Sequence, residues 1–338
     1  MFGADEILVK QLLCLNQRIC SYNCAKCQAI CPQNAIEINK ETGIVTMNSQ
    51  CTNCGLCLSE CPAQAIVWKH FMRYPLKIHD EKVEVFCTKI KCDGYASCLA
   101  NLSEYELAYL AMKAEVHLCI DKSMCMKCNP NLIRHIDRQI KRVNSFLTKV
   151  KLNPIKIFWQ QDQADGEMNR RELFQFFFSK LKQSIGEVLP IADKLSDYRI
   201  LLVEELQRNF AESMGDAAPF FQGAKGLQAC TMCGACVRAC RNKALQIVIN
   251  QEENRSELLH DQTLCTGCNV CSIICPEKAI EISAEHSRLE SIGKNKPTLV
   301  SERALKLCET CGATIIEGVH KVCPDCQRKQ DKKLQDIY

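Results

Sequence analysis

Of the 338 residues, 27 are cysteine, and their spacing is the feature of the chain that could do chemistry. Thiols can pair as disulfides, act as nucleophiles or ligate soft metals. Four stretches share the ending Cys-x2-Cys-x3-Cys: Cys20-x3-Cys24-x2-Cys27-x3-Cys31-Pro32, Cys51-x2-Cys54-x2-Cys57-x3-Cys61-Pro62, Cys230-x2-Cys233-x2-Cys236-x3-Cys240-Arg241 and Cys265-x2-Cys268-x2-Cys271-x3-Cys275-Pro276. The pairs Cys308-x2-Cys311 and Cys323-x2-Cys326 form two further knuckles, eleven residues apart. The N-terminal residues Met1–Glu6 carry no basic stretch, and Lys10 and Gln11 break the apolar run Ile7–Leu15, so no secretory signal is expected. A reducing, cytoplasmic compartment is then expected, where disulfides are rare and an odd cysteine count fits metal ligation better.

The repeated spacing has a geometric reason. A cubane cluster offers four irons at tetrahedral corners, each needing one thiolate. Two residues between cysteines let a tight loop reach three corners, and the fourth ligand must come from elsewhere. A proline after the last cysteine ends the short helix that carries it, because proline lacks an N–H and clashes in a helix interior. These stretches resemble bacterial dicluster [4Fe–4S] ferredoxins, as two modules over residues 20–70 and 228–284. The resemblance implies four [4Fe–4S] clusters with crossed ligands, structural zinc being the alternative. Cys20, Cys24 and Cys27 would share a cluster with Cys61, and Cys51, Cys54 and Cys57 with Cys31. Likewise Cys230, Cys233 and Cys236 would take Cys275, and Cys265, Cys268 and Cys271 would take Cys240.

Two positions depart from the family pattern. Arg241 stands where the other arrays have proline, which changes the end of that turn but removes no ligand. Cys20-x3-Cys24 is one residue longer than its counterparts; a loop bulge is the simple reading, a labile or atypical cluster the sharper one. The same spacing also resembles the radical S-adenosylmethionine triad, but the barrel of that family does not fit before the second array.

Residues 82–140 hold six more cysteines with different spacing: Cys87, Cys92, Cys98, Cys119, Cys125 and Cys128. Lys82-Val83-Glu84-Val85-Phe86 alternates like a strand, Ser103-Glu104-Tyr105-Glu106 has the form of a helix N-cap, and Glu115-Val116-His117-Leu118 reads as a second strand. Val85-Phe86-Cys87, Cys98-Leu99-Ala100-Asn101-Leu102-Ser103 and Cys125-Met126-Lys127-Cys128-Asn129 resemble the delta subunit of methyl-viologen-reducing hydrogenase. That family binds a [2Fe–2S] cluster and passes electrons between a hydrogenase and a heterodisulfide reductase-type flavoprotein. On this basis Cys87, Cys98, Cys125 and Cys128 are the candidate ligands, with Cys92 as substitute. Zinc or simply buried thiols are the alternatives, and Cys119 is expected to be a packed thiol.

The C-terminal knuckles, Cys308, Cys311, Cys323 and Cys326, resemble zinc ribbons and rubredoxins. Zinc is the expected ion and rubredoxin-type iron the alternative. His320 is expected to be an exposed loop residue, and the polar run Gln327–Lys333 a solvated helix.

The elements that must position these thiols follow from the flanking sequence. Ala35-Ile36-Glu37-Ile38, Ala65-Ile66-Val67-Trp68, Ala244-Leu245-Gln246-Ile247 and Ala279-Ile280-Glu281-Ile282 each follow an array and alternate like short strands. The expected fold is α+β: two dicluster modules of βαββαβ type, a small α/β middle unit, a helical connector and a zinc knuckle. The expected segments are an N-terminal helix (1–19), module 1 (20–80), the α/β block (81–140), the connector (141–227), module 2 (228–300), and the knuckle with a polar tail (301–338). Cys14, in Leu12-Leu13-Cys14-Leu15, is expected to be a core thiol. Leu173-Phe174-Gln175-Phe176-Phe177-Phe178 with Leu181, Ile185, Val188 and Leu189 suggests a connector helix, and Leu201, Leu202 and Leu206 another. Gln161–Met168 reads as a loop.

A net charge of +4 is too mild to point to nucleic acid. No window of ~18 apolar residues suggests membrane insertion. There is no G-x-x-x-x-G-K-[ST], strand-linked G-x-G-x-x-G or H-E-x-x-H. The expectation is therefore an electron-transfer protein or subunit without a catalytic site of its own. It would pass low-potential electrons within a hetero-oligomeric redox complex of hydrogenase, formate dehydrogenase or heterodisulfide reductase (flavoprotein) type. An enzyme acting at an atypical cluster, or a zinc-binding regulatory protein, are the alternatives.

Overall fold

The computed structural model describes residues 7–19, 22–69, 73, 75–88, 90, 94–129, 131–160, 187–188, 197–209, 219–316, 321–323 and 325–329. Cys20, Cys92, His320, Pro324, the apolar run 173–178 with Leu181, Ile185 and Leu189, and the loop expected over 161–168 lie outside them. The chain divides into two compact units, residues 1–210 and 211–338.

The first unit opens with β1 (Ile7–Val9), a 3-10 turn (Gln11–Leu13) and the single helical turn α1 (Leu15–Arg18). The helix expected over 1–19 is thus mostly not one: Ile7–Val9 is a strand, because its partner strand supplies the hydrogen bonds that a short segment cannot form alone. Next come α2 (Lys26–Ile30), β2 (Ile36–Ile38), β3 (Val45–Met47), α3 (Leu56–Glu60) and β4 (Ile66–Trp68). β1 pairs antiparallel with β4, and β2 with β3. The side chains of Ile7, Ile36, Val45 and Ile66 are buried together with Cys27, Cys57 and Leu58. Each fully buried aliphatic side chain contributes about 1.5–3 kcal/mol.

Beyond β5 (Lys77–Ile78) and β6 (Lys82–Val85), the helix α4 (Glu104–Lys113) leads to β7 (Glu115–Asp121). α4 starts as its sequence predicts: the Ser103 hydroxyl accepts from the Glu106 N–H, and the Glu106 carboxylate accepts from the Ser103 N–H. The chain continues through α5 (Lys122–Cys128), α6 (Asn131–Lys149) and β8 (Lys156–Gln160). β6, β7 and β8 form a parallel three-stranded sheet, so the α/β block reaches past residue 140 and claims its third strand from the stretch expected to be connector. α6 buries Leu132, Ile136, Ile140, Val143 and Leu147, one stripe at helical spacing. β9 (Glu187–Val188) pairs with β5, and α7 (Asp197–Asn209) carries Leu201, Leu202 and Leu206 as expected. A buried ionic network ties these pieces. The Arg73 guanidinium holds both Glu106 oxygens (2.7 and 3.1 Å), Tyr95 donates to Glu106 (2.8 Å), and the Tyr95 and Tyr198 hydroxyls lie 2.7 Å apart.

The second unit repeats the order strand, helix, two strands, helix, strand: β10 (Gly223–Gly226), α8 (Ala235–Ala239), β11 (Leu245–Asn250), β12 (Arg255–His260), α9 (Val270–Ile274) and β13 (Ile280–Ser283). β10 pairs with β13, and β11 with β12. After α10 (Leu289–Gly293), the long β14 (Thr298–Leu307) extends the sheet beside β12 and then pairs with β15 (Thr314–Ile316). The chain is helical again over 325–329.

Candidate metal centres

Each array uses its short helix to aim thiols inward. α2, α3, α8 and α9 end one residue before Cys31, Cys61, Cys240 and Cys275, whose backbones turn extended. The residue three further on, Asn34, Gln64, Lys243 or Lys278, has a positive φ. This folds the chain back so that the next N–H, from Ala35, Ala65, Ala244 or Ala279, donates to the cysteine Sγ at 3.2–3.3 Å. Such a donor favours the thiolate over the thiol. With Arg241 the backbone at the ligand is kept, φ −76° and ψ 103° at Cys240 against −79° and 105° at Cys61, while the helix end changes: the Cys240 N–H donates to both Cys236 and Val237, where that of Cys61 donates to Leu58 alone. The turn is set by the left-handed residue and the N–H···S bond, which need no proline.

The thiols then converge across arrays. Cys51, Cys54 and Cys57 line one pocket with Cys31. Cys230, Cys233 and Cys236 line another with Cys275. Cys24 and Cys27 line a third with Cys61 and, unexpectedly, Cys14. Cys14 is half-buried, packed against the core cluster and on this wall at once. Cys265, Cys268 and Cys240 crowd Cys271 closely enough to repel its thiolate. Burial is the larger cause there, pushing the Cys271 thiol up to about 12. Burial likewise raises Cys27 to about 12, with Cys61 and Cys24 adding repulsion, and Cys236 to about 11. Cys54, Cys57 and Cys61 shift the same way. Four thiols gathered in an apolar site resist ionisation until cations offset their charge, which is the electrostatic demand a cluster meets.

The middle thiols divide. Cys87 lies just past β6, Cys98 opens a 3-10 turn (Leu99–Asn101), and Cys125 and Cys128 lie on α5. Cys98 is deeply buried, which pushes its thiol up to about 12, and the thiolates of Cys54, Cys87 and Cys125 repel it further. Cys98 therefore adjoins the second array as well as its own block. The Asn101 amide fixes this junction by donating to the Cys54 carbonyl (2.9 Å). Sequence reasoning placed Asn101 only before a helix; its side-chain contact spans 47 residues and leaves no local signal. Cys119 is buried in β7, a packed thiol as its strand position suggests.

The C-terminal set is tighter. The ligand atoms of Cys308, Cys311, Cys323 and Cys326 all lie within 4.8 Å of one another, the one such group among the described residues. Cys311 and Cys323 sulfurs are 3.7 Å apart. Four sulfurs at about 2.3 Å from one tetrahedral ion would be about 3.8 Å apart, so the set fits a single zinc or iron ion. The Cys323 N–H donates to the Cys308 sulfur (3.2 Å) and holds that thiol below its ordinary value.

All-thiol cavities with N–H···S donors and helix-end turns define a metal-binding protein of the iron–sulfur kind. Family comparison makes the class more specific: models of the 4Fe-4S dicluster domain match residues 19–65 and 220–280. Two dicluster ferredoxin domains are therefore present, they imply four [4Fe–4S] clusters, and they support a role in electron transfer. No helix among the described residues is long and apolar enough to cross a membrane.

Proposed function

We propose that this chain is a multi-cluster electron-transfer subunit that carries low-potential electrons inside a larger redox complex. Each bound [4Fe–4S] cluster supplies a reversible one-electron centre, with no bond made or broken on the protein. The chain's own residues hold the thiolates, exclude water and set potentials through N–H···S donors. The middle thiols Cys87, Cys98, Cys125 and Cys128 hold a further [2Fe–2S] site, and Cys308, Cys311, Cys323 and Cys326 hold zinc. The observation that supports the reading is the Asn101 amide, in the turn that Cys98 opens, donating to the Cys54 carbonyl (2.9 Å): it brings that turn against the second array, as a relay would require. A hydrogenase, a formate dehydrogenase or a heterodisulfide reductase-type flavoprotein is the partner class that the middle block's resemblance suggests.

The test is iron, acid-labile sulfide and zinc per chain on protein purified without oxygen, followed by reductive titration. About 16 iron for the four cubanes, ~2 for the middle site and ~1 zinc are expected. Reduction by a low-potential donor and reoxidation by a captured partner subunit should follow. Several zinc ions with almost no sulfide would overturn the reading, and substrate turnover by the isolated chain would replace it with chemistry at an atypical cluster.

A further inference from the structure

One backbone hydrogen bond recurs ahead of each array. The N–H of Lys10 donates to Ala65 (2.7 Å), Asn48 to Ala35 (2.9 Å), Leu227 to Ala279 (2.9 Å) and Asp261 to Ala244 (2.7 Å). The acceptor is always the alanine whose own N–H binds the crossing cysteine. This bond fixes where the chain enters each cavity. Counting from it, Cys51 and Cys230 come three residues on and Cys265 four. In the first array, the residue four places on is Cys14; Cys20 is ten places on. Cys14 also makes the turn its counterparts make. Its N–H donates three residues back to Gln11 (2.9 Å), as Cys51 does to Asn48 and Cys230 to Leu227 (both 3.2 Å).

The rest of the loop agrees. After the entry cysteine, the other three arrays use paired left-handed residues: Asn53 and Gly55, Met232 and Gly234, Gly267 and Asn269. Ala25, the counterpart of Gly55, has φ −119°. Instead of that tight turn, Asn16 clamps the chain's return: its amide donates to the Cys24 carbonyl (2.9 Å) and its carbonyl accepts from the Cys24 N–H (2.7 Å). The two residues that normally separate the first two cysteines are replaced by the nine of Leu15–Asn23.

We propose that Cys14 is the fourth thiolate of the first cluster, with Cys24, Cys27 and Cys61, and that Cys20 belongs to the inserted loop as a non-ligand. The array is then Cys14-x9-Cys24-x2-Cys27-x3-Cys31. Ligation exchanges the Cys14 thiol proton for an iron–sulfur bond; the proton leaves to solvent and no electron is transferred. The inference rests on the first module holding clusters, and the experiment separates the two claims.

Full-length C14S and C20S are purified without oxygen beside the parent chain. Iron and sulfide are counted, and the oxidised proteins are examined by electron paramagnetic resonance. C14S is expected to show a three-iron signal or to lose ~4 of ~16 iron, while C20S matches the parent. The ~12 iron that remain in C14S show that the variant folds. A full, spectroscopically unchanged complement in C14S overturns the proposal, and so does iron loss in C20S, alone or together with C14S. Should C14S not accumulate, alkylation of the loaded parent chain decides. Cys14 protected with Cys20 labelled supports the assignment; Cys14 labelled, or Cys20 protected beside it, overturns it. A parent chain without iron or sulfide would instead sink the cluster reading of the module itself.

Discussion

Cys230, Cys233, Cys236 and Cys275 line one pocket between two paired arrays. Cys308, Cys311, Cys323 and Cys326, in the same unit, hold all their sulfurs within 4.8 Å. Both are four-thiol sites, and the difference lies in where the fourth thiol comes from. In the dicluster module it comes from the other array, so the four thiols line a pocket between the two. In the knuckle two tight turns face each other and leave room for one ion. The same number of cysteines can thus serve two kinds of metal group, and the path of the chain between them says which fits.

The largest effect should come from removing one thiol on each side of the comparison. Cys275→Ser takes away a crossed ligand and should cost up to ~4 iron or leave a three-iron centre, with the knuckle's ion retained. Cys326→Ser should release the knuckle's ion and leave iron and sulfide at the parent level. Metal analysis of the two variants checks this, and iron loss in Cys326→Ser would break the distinction. A second separation uses reagents. A zinc chelator under anoxia should strip ~1 ion and leave the visible cluster absorbance intact, whereas oxidation by ferricyanide should bleach the absorbance and leave that ion bound.

Two glycines give a smaller and more local comparison. Gly55 has φ +78°, and a Cβ there would sit 2.7 Å from the Trp68 ring. Gly312 has φ +72° with nothing within 4 Å. Gly55→Ala should therefore carry both left-handed strain and a clash, roughly 2–4 kcal/mol together, seen as faster thermal loss of cluster absorbance. Gly312→Ala should carry the strain alone, about 1–2 kcal/mol, seen as a weaker hold on the knuckle's ion in chelator competition. Equal effects at the two sites would mean that the packing of Trp68 against the second array does not matter.

Much of this was legible in the sequence because the spacing of ligands and the alternation of strands are both local. The strands after each array, the Ser103 cap of α4 and the Cys-x2-Cys turns are set by residues within a few positions of one another. What was not legible depends on long-range pairing. Ile7–Val9 is a strand only because Ile66–Trp68 lies beside it. Lys156–Gln160 joins β7 across a whole helix. The apolar neighbours Leu13 and Leu15 mark Cys14 as a thiol beside the core, where it does pack; that it also lines a pocket with Cys24, Cys27 and Cys61 depends on the pairing of Lys10 with Ala65.

The smallest expected effect tests how much of the family pattern is needed for the site. Arg241 occupies the place of Pro32, Pro62 and Pro276, yet its turn keeps the features that aim the thiol: Cys240 extended, Lys243 left-handed at φ 54°, and the Ala244 N–H 3.3 Å from the Cys240 sulfur. The ψ of 103° at Cys240 is already close to what a following proline requires. Proline at 241 would therefore fit without moving the ligand, and its benefit would come from restricting the unfolded chain, about 0.4–1 kcal/mol. Arg241→Pro should raise the thermal midpoint slightly and leave iron, sulfide and the reduction profile of the second module unchanged. A loss of iron would show that the Arg241 backbone or side chain supports that corner directly. It would also mean that the four turns, alike in geometry, are held by different forces.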